Sequence, residues 1–472
     1  MSPIEIVSLD FLLLTLITLV IYYLLTPRLQ TVWLLAVSYA FYATWGGYYL
    51  AVLIVSTALN YFIARRIEKT KSRPLLFSIV TLNAASLIAL KFITGPYGLS
   101  LLTTMTGETR ATELTAILLP IGFSFYVLQI ISYLIDIYRG QTEAEEDFIH
   151  FALYLAYFPK MLAGPIERAK AFLPQLKRER LVDKAAVEQG LYLILLGLLR
   201  KWVIADHLAP LLPADVFVAP GDYASLERAV WVLVFAFMVY NDFAGYTSIV
   251  RGVSKLLGIE LSPNFRQPFL ARSFSDFWTR WHITLSEWLR DYIFYPLRRW
   301  LMSQRWDRRL ALFIPPLIAM LASGYWHGAY LALLLWGFVH GLYLVFEQIL
   351  QQFNRFPKEG WKARAYSVFV FLAVTLAWIP FNAPSVRAAG RFLVSLPPPY
   401  SAAFNPIILP DVILLPLFSI WLDAQEQRYA DPSFPRAWSP AAQAWSVAIA
   451  LILLWLFSNT GTDLSGFVYQ GF

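Results

Sequence analysis

Apolar residues recur in long blocks along the whole chain, and polar segments separate the blocks. A helix needs about 20 apolar residues to cross a bilayer. Blocks that reach or approach this length lie at 6–25, 31–46, 48–64, 74–93, 114–138, 187–206, 227–242, 310–326, 328–350, 365–381, 405–421 and 443–458. The pattern predicts an all-α, polytopic transmembrane protein with about 11–13 spans or part-spans. We expect the shorter blocks to form re-entrant or interfacial helices.

The composition supports one integral membrane domain over residues 1–472. The chain is 58% hydrophobic and 15% charged, and its mean hydropathy is +0.55. Soluble globular proteins are about 45–50% apolar and about 25% charged. The absence of cysteine excludes disulfides, thiolate metal sites and a cysteine nucleophile. We attribute the net charge of +7 to basic loops between spans, and we expect no nucleic-acid partner.

Basic residues between the blocks predict the orientation of the chain. The loop after the third block holds Arg65, Arg66, Lys69, Lys71 and Arg73, whereas 95–113 is poor in lysine and arginine. Cytoplasmic loops carry an excess of these residues, so we expect an extracytoplasmic N-terminus. Two further basic clusters comprise Arg168, Lys170, Lys177, Arg178, Arg180 and Lys184, and then Arg298, Arg299, Arg305, Arg308 and Arg309. These clusters either mark loops on the cytoplasmic side, or form a surface that attracts an anionic acyl donor or carrier, or do both.

The segment from Arg272 to Trp300 differs from the apolar blocks. At 100° per residue, one stripe contains Phe274, Phe277, Trp278, Trp281, Leu285, Trp288, Leu289 and Tyr292. The opposite face contains Asp276, Arg280, Thr284, Glu287 and Asp291. The pattern predicts a single amphipathic helix that does not span the bilayer. His282 lies at the flank of the stripe, either facing a cavity or as an incidental residue of a tryptophan-anchored interfacial helix.

Two of the five histidines lie in a strongly apolar stretch, SGYWHGAYLALLLWGFVHG. Ionisable residues inside a membrane are costly, so His327 and His340 are functional candidates. On one straight helix they would be about 20 Å apart. They would then share no reacting atom unless the helix breaks, for example at Gly328. We expect His150 and His207, which stand beside charged residues, to be ordinary solvated or capping groups.

The histidine spacing favours acid–base chemistry over metal binding. A metal site formed by His282, His327 and His340 has no HxxxH or HExxH spacing to support it, so we predict no metal. A neutral histidine that acts as a general base, oriented by a second polar group, uses these residues better. The sequence has no glycine-rich phosphate loop, GxSxG elbow or long soluble stretch. Any chemistry is therefore expected within the membrane.

Six sequence blocks resemble the membrane-bound O-acyltransferase family, and in particular its bacterial branch of alginate O-acetylase membrane subunits and D-alanyl transfer proteins. In order they are LPIGFSFYVLQIISYLIDIYRG, YFPKMLAGPIER, LLRKWVIADHLA, DFAGYTSIVRG, NFRQPFLARSFSDFWTRWHITLSEWLRDYIFYPL and GYWHGAYLALLLWGFVHG. The similarity covers about residues 30–350, while the helices of 360–472 are less typical. The combination of RWH with WHG about 45 residues later is the most specific feature.

The resemblance implies roles for individual residues. The family's invariant histidine corresponds to His327, and its second polar position, His or Asn, corresponds to His282. The residues implied to support the pocket are His340, Trp281, Trp326, Asp291 and Arg290. The family fold implies a central tunnel. An acyl thioester, acetyl-CoA or a related donor, would enter it from the cytoplasm and the acceptor from outside, with no bound cofactor.

The function implied is transfer of an acyl group, most simply acetyl, for O-acetylation of an exopolysaccharide or cell-wall polymer. The protein would lie in the inner (plasma) membrane, with a polysaccharide or an acyl-relay protein as its extracytoplasmic partner. D-alanyl transfer for teichoic acid modification is the first alternative, and peptidoglycan O-acetylation is the next. A polytopic transporter or export scaffold would explain the spans, but it would not explain why RWH and WHG occur together.

Overall fold

A computed structural model describes residues 3–180, 182–304, 308–353, 356–357, 359–396 and 409–458. The protein is 78% helical, and the ranges just given contain no strand. The predicted all-α class is therefore confirmed. Arg305 of the second basic cluster and positions 405–408 of a predicted block lie outside the described residues.

The chain divides into two compact units. The first comprises residues 1–195 and 246–263, and the second comprises 196–245 and 264–472. The helices that begin in the first unit are α1 Leu9–Tyr23, α2 Pro27–Ala43, α3 Gly47–Thr70, α4 Arg73–Thr94, α5 Pro96–Thr106, α6 Glu108–Leu118, α7 Phe123–Tyr138, α8 Phe148–Ala156, α9 Ala169–Leu176 and α10 Lys184–Leu198.

The second unit contains most of the segments that carry histidine. Its α-helices are α11 Asp206–Leu208, α12 Ser225–Leu256 (which ends in the first unit), α13 Phe274–Trp278, α14 Ile283–Leu289, α15 Tyr295–Ser303, α16 Arg308–His327, α17 Leu331–Gln352, α18 Gly360–Asn382, α19 Val386–Ser395, α20 Leu409–Tyr429 and α21 Pro440–Ser458. The described part of this unit also contains two π-helical segments, Leu199–Ala205 and Arg290–Phe294. It has 3₁₀ turns at Ala209–Leu211, Pro220–Asp222, Pro268–Leu270 and Phe434–Ala437.

Within the described residues, seven helices are long and apolar enough to cross a membrane, which confirms a polytopic membrane protein. They are Gly47–Thr70, Arg73–Thr94, Ser225–Leu256, Arg309–His327, Leu331–Gln352, Gly360–Asn382 and Pro440–Phe457. The apolar helices α1 and α7 are shorter. The helix ends follow local sequence signals: the Ser8 and Ser72 hydroxyls accept hydrogen bonds from the backbone amides of the first turns of α1 and α4.

The predicted block 114–138 is not one helix. Helix α6 ends at Leu118 and α7 begins at Phe123. Between them Gly122 adopts φ +75°, and a Cβ atom there would lie 2.4 Å from the Met161 carbonyl oxygen. Only glycine accommodates both this conformation and this close approach, so the backbone turns inside an apolar run.

The predicted single amphipathic helix of 272–300 is also wrong. The segment forms α13, α14, the π-helical segment Arg290–Phe294 and α15. The break between α13 and α14 falls at His282, whose backbone is left-handed at φ +41°, ψ +55°. A left-handed residue cannot continue a right-handed helix, so the eight-residue stripe is interrupted at its centre.

Helices α16 and α17 are in backbone contact. A Cβ atom on Gly324 would lie 2.3 Å from the Leu333 carbonyl oxygen, and one on Gly337 would lie 2.2 Å from the Met320 carbonyl oxygen. Glycine at these positions allows the helices to approach more closely than any side chain would permit. This contact fixes the positions of the helices that carry His327 and His340.

Candidate active site

His327 is the last residue of α16, and α17 begins at Leu331. The two histidines of the apolar stretch are therefore on different helices, and the 20 Å separation expected for a straight helix does not apply. The intervening Tyr330 has an extended backbone, φ −108° and ψ 138°, which separates the two helices.

Aromatic rings surround the imidazole of His327. Its ring centroid lies 5.0 Å from that of Trp326, 5.3 Å from that of Trp336 and 5.2 Å from that of Phe381. The residue is 3% exposed. His327 is thus buried among rings contributed by α16, α17 and α18.

His340 also lies against Trp336. The Trp336 ring centroid is 4.9 Å from the His340 imidazole, and the Trp278 centroid is 5.1 Å from it. Phe277 stacks on the same imidazole at 6.1 Å with an interplanar angle of 12°. One tryptophan therefore contacts both histidines.

His282 joins the same group of rings through Trp326. The ring centroids of His282 and Trp326 are 5.8 Å apart, and those of His282 and Phe243 are 4.9 Å apart. His282 is fully buried. Burial lowers the pKa of its imidazole to about 3, so the ring is neutral near pH 7. We call His282, His327 and His340, with Trp326 and Trp336, the histidine cluster.

Trp281, predicted to support the pocket, is linked to the histidine cluster through Trp378. It is 1% exposed, and its ring lies 5.0 Å from that of Trp378, which in turn lies 6.2 Å from that of Trp336. Arg290 and Asp291 were also predicted to support the pocket. Their side chains are 44% and 40% exposed, and Arg290 Nε lies 3.2 Å from the Asp291 carboxylate.

Two residues that the sequence analysis missed hold the backbone beside His282. The carbonyl oxygen of Asn264 accepts the Ile283 amide at 2.9 Å. Its side-chain Oδ1 accepts the Thr284 hydroxyl at 2.7 Å and the Thr284 amide at 3.3 Å. The buried Glu347 carboxylate accepts the Phe274 amide at 2.6 Å, which fixes the start of α13. Glu347 could have been noticed as an acid inside the apolar block 328–350.

A second buried polar group in the same unit was also missed. Arg200 pairs with Asp423 at 2.6 Å and Glu426 at 2.7 Å, and Lys201 pairs with Asp242 at 2.7 Å. We call these five residues the ion-pair cluster. The π-helical segment Leu199–Ala205 carries both cations. Their signal in the sequence was two adjacent cations inside the apolar block 187–206.

The remaining histidines lie beside carboxylates. His150 Nδ1 is 3.7 Å from Glu145, and His207 Nε2 is 3.3 Å from Asp411. Both side chains retain some exposure, 19% and 23%. The other three histidines are buried, at 0–3% exposure, and each lies against at least two aromatic rings.

Comparisons of the sequence with known proteins all indicate the same family. A model of the membrane-bound O-acyltransferase family matches residues 146–381, which include the histidine cluster. The probable alginate O-acetylase of Azotobacter vinelandii is 35% identical over 80% of this chain and 74% of its own length. The peptidoglycan O-acetyltransferase of Helicobacter pylori is 30% identical over 79% of this chain and 74% of its own length. The teichoic acid D-alanyltransferase of Streptococcus thermophilus is 31% identical over 44% of this chain and 52% of its own length. The chain therefore belongs to the membrane-bound O-acyltransferase family and is a multi-pass membrane O-acyltransferase.

Proposed function

We propose that the protein transfers an acetyl group from a cytoplasmic thioester, acetyl-CoA or a related donor, to a hydroxyl group for O-acetylation of an extracytoplasmic polymer. The observation that carries this proposal is the burial of His327, at 3% exposure, among three aromatic rings. A neutral imidazole can accept a proton, and as a base it avoids the cost of burying a charge.

In the proposed reaction, His327 accepts the proton of the acceptor hydroxyl as its oxygen bonds to the thioester carbonyl carbon. The carbonyl electron pair moves onto oxygen and returns when the carbon–sulfur bond breaks. The leaving thiolate takes the proton from His327, so the products are an ester and a free thiol. His282 orients the reacting groups from the other side of Trp326. His340 supports the pocket through Trp336.

Acetyl transfer is favoured over D-alanyl transfer by the extent of similarity. Relatives named for O-acetylation align with 79–80% of the chain, whereas the relative named for D-alanyl transfer aligns with 44%. The names of the longer matches include alginate in one case and peptidoglycan in the other. The shared part of these names, a carbohydrate-containing polymer acetylated on oxygen, is what we carry to this chain.

The proposal is tested by His327→Ala in purified protein supplied with radiolabelled acetyl-CoA. A general base contributes about 10²–10⁴-fold, so we expect label transfer and hydrolysis to fall by that factor. His207→Ala is the matched control, because His207 pairs with Asp411 outside the histidine cluster. Residual activity of His327→Ala within a few-fold of wild type would contradict the assignment. A wild-type protein that moves acetyl-CoA without cleaving it would indicate a transporter.

The orientation is part of the proposal. The basic loop 65–73 lies on the cytoplasmic side, which places the N-terminus outside the inner membrane. Ser72→Cys introduces a unique thiol because the chain has no cysteine. We expect this thiol to resist a membrane-impermeant maleimide in intact cells and to react after permeabilisation. Ready labelling in intact cells would reverse the orientation.

The extracytoplasmic partner is the polysaccharide itself or a protein that relays the acyl group. The two are separated by incubating purified protein with donor and polysaccharide alone. Acetylated polysaccharide indicates direct transfer. Labelled product that forms only after a membrane-free extracytoplasmic fraction is added indicates a relay.

A further inference from the structure

The side-chain amide of Asn264 has a defined orientation. Asn264 is 1% exposed, and one end of its amide meets both the backbone amide and the hydroxyl of Thr284. A backbone N–H only donates, so the atom it meets must be the acceptor Oδ1. These bonds cap the start of α14, a role that the side chain of His282 does not perform.

The other end of this amide is a buried donor. Asn264 Nδ2 has no hydrogen-bond partner among the residues that the structure describes. Leaving a buried donor unsatisfied costs about 1–3 kcal/mol, and most buried polar groups in native proteins are bonded. The Oδ1 atom of Asn264 is satisfied and fixes the amide, whereas Nδ2 is left without a partner among the described residues. We take this as an indication that Nδ2 donates to a bound ligand.

The position of Asn264 identifies the relevant ligand atom. Its carbonyl oxygen accepts the Ile283 amide at 2.9 Å, so the residue lies beside the backbone that carries His282. His282 contacts Trp326, which contacts His327. Asn264 is therefore bonded to the backbone next to His282, one of the residues that we assign to acyl transfer. The atom that gains negative charge in that reaction is the thioester carbonyl oxygen.

We propose that Asn264 Nδ2 donates a hydrogen bond to the acyl carbonyl oxygen and stabilises its negative charge during transfer. The inference rests on the proposed function. As the acceptor oxygen bonds to the carbonyl carbon, the carbonyl pair moves to oxygen and strengthens this hydrogen bond. Nδ2 keeps its protons throughout. The donor is preorganised because Thr284 fixes the amide before substrate binds.

The two ends of the amide allow capping and catalysis to be separated. Asn264→Ala removes both Oδ1 and Nδ2. Thr284→Val removes the hydroxyl that holds Oδ1 but retains Nδ2, so it is the matched control. The measurements are kcat and KM for release of CoA thiol from acetyl-CoA, with thermal unfolding in detergent recorded for each variant.

We expect Asn264→Ala to lower kcat about 10²–10³-fold, as loss of one oxyanion donor does, while KM changes by a few-fold at most. Thr284→Val is expected to stay within about tenfold of wild type. If Asn264 only caps α14, the two folded variants lose similar activity. A folded Asn264→Ala with kcat within a few-fold of Thr284→Val would overturn the proposal.

Asn264→Asp provides a second measurement should the alanine variant fail to fold. Aspartate keeps an acceptor for Thr284 but places an oxygen where Nδ2 was. Its protonated form can donate and its ionised form cannot, so kcat relative to wild type should rise as pH falls from 8 to 6. A wild-type kcat with a wild-type pH profile would overturn the proposal.

His327→Ala in the same assay keeps the two proposals distinct. Loss of activity in His327→Ala, with full activity in Asn264→Ala, rejects the donor role alone. A wild-type protein that releases no thiol from any acyl thioester rejects acyl transfer itself.

Discussion

The second unit contains two clusters of titratable residues, the ion-pair cluster and the histidine cluster, and their surroundings differ. In the ion-pair cluster, Arg200 meets two carboxylates and Lys201 meets Asp242, all within 2.7 Å. In the histidine cluster, titratable groups of similar burial lie against tryptophan and phenylalanine rings. One group is held by charge and the other by aromatic packing.

The difference indicates which group performs chemistry. Charges that are paired and hydrogen-bonded are locked in one state, because separating them in a low-dielectric interior is costly. A neutral imidazole among rings can take up and return a proton in the presence of substrate. We infer that the ion-pair cluster holds the fold and that the histidine cluster serves the reaction. The three predictions below compare residues held by charge with residues held by aromatic packing, and each is measured through protein stability.

The largest expected effect on stability comes from Arg200→Met. It leaves Asp423 and Glu426 buried without their cation, and breaking a buried pair in this way costs about 3–5 kcal/mol. Thermal unfolding in detergent should show a clear loss relative to Arg299→Met, whose side chain is exposed. His327→Ala should unfold close to wild type. Equal melting temperatures of the two arginine variants would contradict the inference that the ion-pair cluster stabilises the fold.

Trp281→Ala is expected to have the next largest effect. Truncating a buried tryptophan costs about 3–5 kcal/mol, and the Trp281 ring packs against Phe265, Phe277 and Trp378. Activity should fall as well, because the packing behind His282 is lost. Trp300→Ala, at a residue 52% exposed, should change stability by about 0.5 kcal/mol or less. Equal small effects would mean that Trp281 does not support the site.

The smallest effect concerns Glu145, a paired carboxylate in the first unit. Burial raises its pKa, but hydrogen bonds from His150, Lys177 and the Asp147 amide outweigh this and lower the pKa to about 2, from 4.5. Its stabilisation is therefore complete above pH 4.5 and is lost as pH falls toward 2. Glu145→Gln should destabilise the protein by about 1 kcal/mol at pH 6.

The pH dependence distinguishes this contribution from a packing defect. The difference in melting temperature between Glu145→Gln and wild type should shrink between pH 6 and pH 3. Glu143→Gln, at an exposed position, is the control. A difference that stays constant across this range would show that the charge of Glu145 contributes nothing.

The sequence predicted the helical class and singled out His282, His327, His340 and Trp326, but it did not single out Trp336 or predict how the chain brings these residues together. Apolar periodicity identifies helices because burial follows the helical repeat. The breaks at Gly122 and His282 escaped prediction because each depends on a left-handed backbone stabilised by neighbours distant in sequence. In the case of His282, Asn264 and Thr284 supply that support.

The pairing of Arg200 with Asp423 escaped prediction for a related reason. The partners are 223 positions apart, and nothing local to either residue specifies the other. The π-helical segment Arg290–Phe294, which contains no buried residue, was likewise not predicted. Residue types at the site were thus readable from the sequence, whereas long-range partners required the three-dimensional structure.

The left-handed backbone of His282 restricts which amino acids an engineer can place there. Asparagine, aspartate and histidine adopt positive φ more readily than other side chains, whereas β-branched residues do so at a much greater cost. Valine or threonine at 282 would therefore disturb the chain path before any question of reactivity arose. Asparagine would preserve the path and change only the functional group. A library at this position should be drawn from glycine, asparagine, aspartate and histidine, so that altered turnover reports chemistry rather than misfolding.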